Sequence, residues 1–130
     1  RFPRDWKVEL KTVKEEPRHG QSKSDLMAAE ADRIRKAIPK GSLLVTLDER
    51  GKDLTTVEFA KKLSAWQDSG ESVAFVIGGT DGIDPALKQE SRMMIRLSSM
   101  TLPHALARVI LSEQIYRAWS ILNNHPYHRA

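Results

Sequence analysis

The sequence predicts an α/β protein whose mainly parallel sheet is flanked by helices. Two short segments, 43–47 and 73–77, are apolar throughout, which is typical of strands buried on both faces of a sheet. Segments with helical periodicity lie between the expected strands, and such helices supply the crossovers that parallel strands require. With 130 residues the chain has the size of one domain, so we expect a single unit over 1–130.

The N-terminal quarter predicts a strand, a loop and a helix. Apolar and charged residues alternate over 6–13, which indicates a strand with one buried face. The polar segment 15–23 has no periodicity and predicts a loop. Ser24 is the expected N-cap of the helix, which should end at Pro39 and Gly41. Its buried stripe follows steps of four, three and four residues: Met27, Ala31, Ile34 and Ile38.

The middle of the chain predicts a strand, a turn and a capped helix. The apolar strand 43–47 leads into the polar turn 48–52. Thr55 and Glu58 have the spacing of a capping box, in which each side chain satisfies one amide of the first turn. The helix is expected to run to about Ser69. Its buried face has helical spacing: Phe59, Leu63 and Trp66.

A second buried strand and a short helix follow. Strand 73–77 is succeeded by the glycine-containing segment 78–82. Asp84 and Pro85 suit the cap and first-turn positions of a short helix. A last strand is expected over 93–97.

The last predicted element is a long helix that follows a loop at 98–103 and continues to about Leu122. Its apolar face is wide for a monomer of this size: Leu106, Val109, Ile110, Ile115, Ala118, Trp119 and Leu122. Part of this face therefore suits a subunit interface.

Charge is distributed unevenly along the chain. The 21 basic and 17 acidic residues give a net charge of +4. Segments 1–40 and 86–130 are basic, and the segment between them is acidic. The basic C-terminal segment suits a phosphate-rich partner, and it equally suits an ordinary solvated surface.

Composition excludes several classes of protein. There is no cysteine, so disulfides, thiolate metal sites and thiol nucleophiles are excluded. No apolar run approaches the roughly 20 residues that span a bilayer, and we expect a cytoplasmic protein without membrane contact. His125 and His128 are three residues apart but lack carboxylate or cysteine partners at ligand spacing, so no metal is expected.

Candidate chemistry lies where the predicted strands end, because ligands of open α/β sheets bind beyond the carboxyl ends of the strands. Gly78 and Gly79 follow a buried strand. They allow either a close approach of the backbone to a ligand or a tight turn, and the sequence leaves both alternatives open. Neither a dinucleotide fingerprint nor a P-loop is present. Ser98 and Ser99 suit a nucleophile or a turn, although no nucleophile elbow surrounds them. His104 suits a general base or a simple helix start.

The C-terminal tail combines histidine, tyrosine and arginine over 125–129. Such side chains suit stacking on a nucleic-acid base and contact with phosphate. A polar terminus of this kind is also often merely solvated, and both readings stay open at this point.

Five motifs in order resemble the ribosomal RNA large-subunit methyltransferase H family, and the resemblance extends over the whole chain, including Arg1-Phe2-Pro3. The motifs are Val45-Thr46-Leu47-Asp48, Ile77-Gly78-Gly79-Thr80-Asp81-Gly82, Leu97-Ser98-Ser99-Met100-Thr101-Leu102-Pro103-His104, Ser112-Glu113-Gln114-Ile115-Tyr116-Arg117-Ala118-Trp119 and Asn124-His125-Pro126-Tyr127-His128-Arg129. This family belongs to the SPOUT class, so the resemblance implies a C-terminal trefoil knot, an exception to the rule that chains do not thread loops.

The resemblance also implies an activity. Family members transfer the methyl group of S-adenosylmethionine to N3 of a pseudouridine in 23S rRNA of the assembled ribosome, and they act as homodimers. By the same resemblance, the cofactor-binding residues are Leu47, Gly78, Leu97, Ser98, Ser99, Met100, Thr101 and Leu102. Those expected near the transferred methyl are His128, Tyr127, Arg108 and His104, with Glu113 close by. Those expected on the RNA are Arg129, Arg108 and His125.

The chain departs from the family at its start. Family members begin about 25 residues earlier with a buried strand and a helix, and loss of a strand would expose a sheet edge. We therefore expect either residues outside the given sequence or a shortened fold. A non-catalytic protein that binds the ribosome or RNA on the same scaffold is the alternative function.

Overall fold

A computed structural model of the chain describes residues 8–12, 22–78 and 83–129. Within these ranges, strands and helices alternate: β1 (Val8–Thr12), α1 (Lys23–Ala37), β2 (Leu43–Asp53), α2 (Thr56–Asp68), β3 (Val73–Ile77), α3 (Pro85–Glu90), β4 (Met93–Arg96) and α4 (His104–Leu122). The strands form one sheet in the order β1-β3-β2-β4, and every neighbouring pair is parallel. The expected α/β class with a parallel sheet is thereby confirmed.

Helices cover both faces of the sheet. Alternate residues of β3 point to opposite faces, so Phe75 packs in the core beneath α2 and α4, while Val76 packs in the core beneath α1 and α3. The first core is the larger of the two and includes Leu63 and Leu111, which are almost fully buried. Burial of both faces explains why β3 is apolar along its whole length.

The first strand is found within its predicted range, whereas the start of the first helix needs correction. β1 covers Val8–Thr12, and residues 6, 7 and 13 of the predicted range lie outside the described residues. The N-cap of α1 is Ser22, not Ser24, because the Ser22 hydroxyl accepts a hydrogen bond from the amide of Asp25. The helix buries Leu26 together with Ala31 and Ile34, whereas Met27 and Ile38 of the predicted stripe are only half-buried.

The prediction of a simple turn over 48–52 is wrong, because β2 continues to Asp53. Both Leu47 and Lys52 pair with Ile95 of β4, so the residues between them form an excursion from the ladder. The chain returns through Gly51, where a Cβ atom would lie 2.6 Å from the carbonyl carbon of Ile95. Only glycine permits this close approach of two backbones.

The elements from α2 to β4 follow the sequence closely. The capping box is confirmed: the Glu58 amide donates to the Thr55 hydroxyl at 3.1 Å, and the Thr55 amide donates to Glu58 Oε1 at 2.8 Å. The expected limits of β3 are confirmed, and Asp84 caps α3 with Pro85 in its first turn. β4 ends one residue earlier than expected, which leaves Leu97 in the connection to α4.

The predicted apolar face of α4 is only partly buried. The helix ends at Leu122 as expected, but the stripe in the core is Ala107, Leu111, Ile115 and Ala118. The exposed members of the predicted face are Leu106, Val109 and Leu122. Leu106 and Val109 together form an apolar strip of α4 that the rest of the described chain leaves uncovered, whereas Leu122 continues the core-facing stripe one turn beyond Ala118.

A Schellman motif turns the chain back after α4. The amide of His125 donates to the carbonyl of Ser120 at 2.8 Å, and the amide of Asn124 donates to the carbonyl of Ile121 at 3.3 Å. Asn124 adopts the left-handed conformation that this motif requires, with φ of 55°. The turn directs residues 125–129 toward the side of α4.

Candidate functional site

A cleft of about 780 Å³ lies at the carboxyl edge of the sheet. Its walls come from the excursion of β2 after Leu47, the end of β3, the connection after β4 and the first turn of α4. The sequence motifs that follow the apolar parts of these three strands therefore meet in one place, as expected for an open α/β sheet. The volume lies within the range typical of small-molecule sites.

Most residues expected to bind the cofactor line this cleft. Those in the lining are Leu47, Gly78, Leu97, Ser98, Met100, Thr101 and Leu102. Ser99 is exposed and does not form part of the lining. The hydroxyl of Ser98 accepts a hydrogen bond from the Met100 amide at 2.9 Å, which stabilises a local turn. Of the two roles that the sequence allowed for Ser98, nucleophile or turn residue, this contact favours the turn residue.

His104 joins α4 to the end of β3 inside the cleft. Its Nδ1 lies 2.9 Å from the carbonyl oxygen of Gly78. Because a carbonyl only accepts, Nδ1 must carry a proton in this contact. In the neutral ring Nε2 then holds the lone pair, so His104 can accept a proton at that atom.

An ion pair missed by the sequence analysis forms another wall of the cleft. Nζ of Lys88 lies 2.7 Å from Oδ2 of Asp48, and the Arg50 amide donates to Oδ1 of Asp48 at 2.8 Å. Burial favours a higher pKa for Asp48, but these two interactions outweigh it and hold the pKa below the ordinary value. The position of Asp48 at a strand end was visible in the sequence, whereas no sequence pattern placed Lys88 of α3 beside it.

A second group of functional candidates, here called the tail cluster, comprises Glu113, Tyr116, Arg117, Tyr127 and His128. Arg117 donates to Glu113 through Nε and Nη2, with the latter 2.7 Å from Oε2. The Tyr127 hydroxyl donates to the same Oε2 at 2.8 Å. Hydrogen bonds from the Arg117 guanidinium, opposed by burial and assisted by Tyr127, lower the pKa of Glu113. The bond to Glu113 in turn raises the pKa of Tyr127.

Arg117 also determines which ring nitrogen of His128 carries the proton. Its Nη1 lies 3.1 Å from Nδ1 of His128, and a guanidinium has no acceptor atom. Nδ1 of His128 therefore accepts, which places the ring proton on Nε2. In this arrangement the basic nitrogen of His128 is already occupied.

Aromatic side chains complete the tail cluster. The ring of Tyr127 meets that of Tyr116 edge to face at 4.8 Å between centroids, and the guanidinium of Arg117 lies 4.9 Å from the centre of the Tyr127 ring. The rings of Trp119 and His125 also contact that of Tyr116, at 5.7 and 6.4 Å between centroids. The tail therefore packs against α4, contrary to a merely solvated terminus, and Tyr127 keeps 42% of its surface exposed.

The predicted catalytic residues do not meet within one chain. His104 lies in the cleft, whereas Tyr127 and His128 are held by Arg117, thirteen positions further along α4. At the helical rise this separation is about 20 Å. Arg108 is exposed one turn after His104 and therefore shares its side of the helix. Arg129 is exposed at the end of the described tail.

Neither a metal-binding cluster nor a membrane-spanning helix occurs in the part of the chain that the structure describes. There, no three metal-ligating side chains are grouped closely enough to hold a metal ion. In the same residues, no helix combines the length and apolarity that crossing a membrane requires.

Comparison with known proteins agrees with the sequence motifs. A family model described as "Predicted SPOUT methyltransferase" matches residues 1–128. Ribosomal RNA large subunit methyltransferase H of Ralstonia pickettii (strain 12J) is 56% identical over 130 residues, which cover 99% of this chain and 83% of that protein. Proteins of the same name from Burkholderia ambifaria (strain MC40-6) and Burkholderia thailandensis (strain E264) are each 55% identical over 131 residues, covering 100% of this chain and 84% of each relative. The chain is therefore a methyltransferase that belongs to the SPOUT family.

Proposed function

We propose that this methyltransferase modifies N3 of a pseudouridine in 23S rRNA of the assembled ribosome, with S-adenosylmethionine as the methyl donor, in the cytoplasm. The observation that carries the proposal is the cleft, because motif residues from three separate strand ends converge on it. The names of the relatives, which specify large-subunit ribosomal RNA, support this substrate.

The cleft fits the proposed cofactor in size and chemistry. It is large enough for a nucleoside with an amino-acid chain, and it combines apolar side chains, backbone groups and opposite charges. Leu47, Gly78 and the run from Leu97 to Leu102, except Ser99, would hold the cofactor. When bound, S-adenosylmethionine supplies an electrophilic methyl group on a sulfonium.

His104 is the proposed proton acceptor. Methylation at N3 requires loss of the imide proton, and Nε2 of His104 carries a free lone pair when Nδ1 donates to Gly78. His128 is less suited to this role, because Arg117 occupies its Nδ1. Arg108, one turn from His104, would offset the charge of phosphate or of the deprotonated base.

The tail cluster is the proposed RNA contact. Tyr127 is exposed over 42% of its surface and His128 carries a proton on Nε2, so the pair can stack on a base or donate a hydrogen bond to it. Arg129 and His125 are exposed beside them and suit phosphate contacts. This cluster lies far from His104 in the same chain, so a cleft beside it has to come from another copy of the chain.

A homodimer would bring the tail cluster of one copy to the cleft of the other. Leu106 and Val109 are exposed on α4 between the cleft and the tail cluster, and a second copy would bury them. In a twofold antiparallel pairing, the start of one α4 lies opposite the end of the other. The tail of each copy would then approach the cleft of its partner, so that two chains together complete each site.

We further propose that residues 1–130 form one domain with the C-terminal trefoil knot of its class. The parallel sheet, the location of the cleft and membership of the family support this proposal. Threading of a knot adds a slow step to folding. Refolding from denaturant should therefore be slower by orders of magnitude than for an unknotted α/β domain of equal length.

The proposal is tested by separating cofactor binding from methyl transfer. Titration calorimetry measures S-adenosylmethionine binding, and incorporation of labelled methyl into ribosomes from a strain lacking this modification measures transfer. Tyr127→Phe and His128→Ala should abolish most transfer and leave cofactor affinity nearly unchanged. Gly78→Val should reduce cofactor affinity, because its side chain fills the cleft.

The outcomes distinguish the alternatives. Cofactor binding with transfer to the pseudouridine supports the proposal. A folded wild-type dimer that binds ribosomes but not S-adenosylmethionine would establish the non-catalytic alternative. Equal loss of binding and transfer in the Tyr127 and His128 variants would remove those residues from the proposed RNA contact.

A further inference from the structure

The Asp48–Lys88 ion pair lies inside the cleft, although neither residue supports the main core. Only 11% of the Asp48 side chain and 28% of the Lys88 side chain are exposed, and their charged atoms are 2.7 Å apart. Withdrawal of two charges from water has a cost that their attraction often fails to offset. A partly buried ion pair that lines a ligand-sized cleft is therefore a candidate for ligand recognition.

Each member of the pair retains capacity for another partner. The Asp48 carboxylate has about four lone-pair directions, of which Lys88 and the Arg50 amide occupy two. The Lys88 ammonium has three donors. An added ammonium can therefore bind Asp48, and an added carboxylate can bind Lys88, without breaking the existing bond.

Other charged residues of the cleft are less suited to this role. Glu49 and Arg50 have exposed side chains at its rim. Arg96 is already engaged through Nε, which lies 2.7 Å from Oδ1 of Asp53. The wall formed by Leu97, Leu102 and Ala107 is uncharged.

We propose that Asp48 and Lys88 recognise the zwitterionic amino-acid end of S-adenosylmethionine, Asp48 through its α-ammonium and Lys88 through its α-carboxylate. Opposite charges that are adjacent on the protein match opposite charges that are adjacent on the ligand. The uncharged wall is left for the adenosine. This inference rests on the proposed function and assigns a specificity-determining role to two further residues.

The first test uses the unaltered chain and a pair of neutral thioethers. S-adenosylhomocysteine has the amino-acid end, whereas methylthioadenosine lacks it. Titration calorimetry should give a Kd for methylthioadenosine about tenfold or more above that for S-adenosylhomocysteine. Equal affinities would overturn the inference while leaving the proposed function intact, and failure to bind either thioether or S-adenosylmethionine would contradict the proposed function itself.

The second test removes the charges one at a time. Asp48→Asn and Lys88→Gln should each weaken binding of S-adenosylhomocysteine and S-adenosylmethionine about tenfold, with no change for methylthioadenosine. Unchanged methylthioadenosine affinity also shows that the cleft has folded. Asp68→Asn is the matched control, because it removes the same charge from an exposed position at the end of α2, outside the cleft, and should leave all three affinities unaltered.

Two results would contradict the assignment. Equal weakening of all three ligands would mean that the pair shapes the cleft rather than recognising the amino-acid end. Loss of S-adenosylmethionine affinity alone in Asp48→Asn would mean that Asp48 faces the sulfonium, which both thioethers lack. Should one variant fail to fold, the other still tests its own residue, and equal affinities of the two thioethers for the unaltered chain would overturn the inference without either variant.

Discussion

Among single residues, Glu113 is the point at which the tail joins α4. One of its oxygens, Oε2, accepts from both Arg117 and Tyr127, while Arg117 reaches onward to His128. Glu113 does not itself contact the cleft, so we regard it as a positioning residue. Its carboxylate holds the guanidinium and the phenol in the arrangement that we propose for RNA contact.

Glu113→Gln should loosen the tail without unfolding the domain. The amide keeps the size of the side chain but loses the charge that attracts Arg117. We expect faster hydrogen exchange at the His125 and Tyr127 amides, a severalfold fall in methyl transfer and unchanged cofactor affinity. Glu90→Gln, which removes a carboxylate paired with Arg35 at a distant site, is the control. Equal exchange in both variants would show that Glu113 does not hold the tail.

Two of the pKa shifts in the tail cluster, those of Glu113 and Tyr127, predict its pH range. The pKa of Glu113 is lowered, so its stabilisation is present above the ordinary glutamate pKa of about 4.3 and is lost as pH falls through the lower folded value. The pKa of Tyr127 is raised, so its stabilisation is complete below the ordinary tyrosine pKa of about 10 and is lost as pH rises through the folded value.

Absorbance of the phenolate measures the alkaline limit directly. Tyr127 should ionise at higher pH in the unaltered chain than in Glu113→Gln, because the variant lacks the negative charge that disfavours phenolate. Subtraction of the Tyr127→Phe titration isolates this group. Coincident titration curves would show that Glu113 does not influence Tyr127.

At the scale of elements, the junction of β2 and β4 has the tightest backbone contact among the described glycines. A Cβ atom at Gly51 would approach three backbone atoms of Met94 and Ile95 within 2.8 Å. Backbone atoms cannot move aside as a flexible side chain can. The excursion that carries Asp48 into the cleft therefore depends on glycine at this position.

Gly51→Ala should destabilise the chain by about 2–3 kcal/mol, because the added methyl forces the two strands apart. Gly70→Ala is the matched control: its φ of 76° is strained for alanine, but no atom lies within 4 Å of the new methyl. There we expect a cost of about 1 kcal/mol from conformation alone. Urea unfolding measures the free energy of unfolding of both variants. Equal losses would mean that the contact between Gly51 and β4 relaxes freely.

Elements fixed by local interactions were predictable from the sequence. The capping box of α2 needs only Thr55 and Glu58, four positions of one chain segment, and it is found as expected. The return of β2 beside β4 depends on a partner more than 40 residues away, and local polarity around Gly51 suggested only a turn. The buried stripe of α4 likewise depends on which side meets α2, which periodicity alone does not decide.

At the scale of the whole molecule, the predicted site residues fall into two groups, the cleft and the tail cluster, which lie apart in one chain. The strand-end rule placed the cleft correctly, because all three strand ends meet at one edge of the sheet. The distance between His104 and the tail cluster was not predictable, because motif spacing does not reveal that the straight helix α4 separates them. The proposed second copy accounts for both the separation and the exposed strip of α4.

If the proposed dimer pairs through α4, Val109→Glu should convert it to a monomer. Val109 is 63% exposed and lies within the apolar strip, so a second copy would have to bury the new charge. Light scattering should then give the mass of one chain, 14.7 kDa, and methyl transfer should be lost with cofactor binding retained. Lys62→Glu, an exposed change on α2, is the control. A dimeric Val109→Glu variant would exclude α4 as the interface.

The Schellman turn at Asn124 has a thermodynamic consequence for encounter with RNA. Because the tail is already folded back on α4, most of its conformational entropy is lost when the protein folds rather than when it meets the ribosome. Association should then lack the large negative heat-capacity change of coupled folding and binding. The tail would meet its RNA as a rigid surface, and its selectivity would come from shape already present before contact.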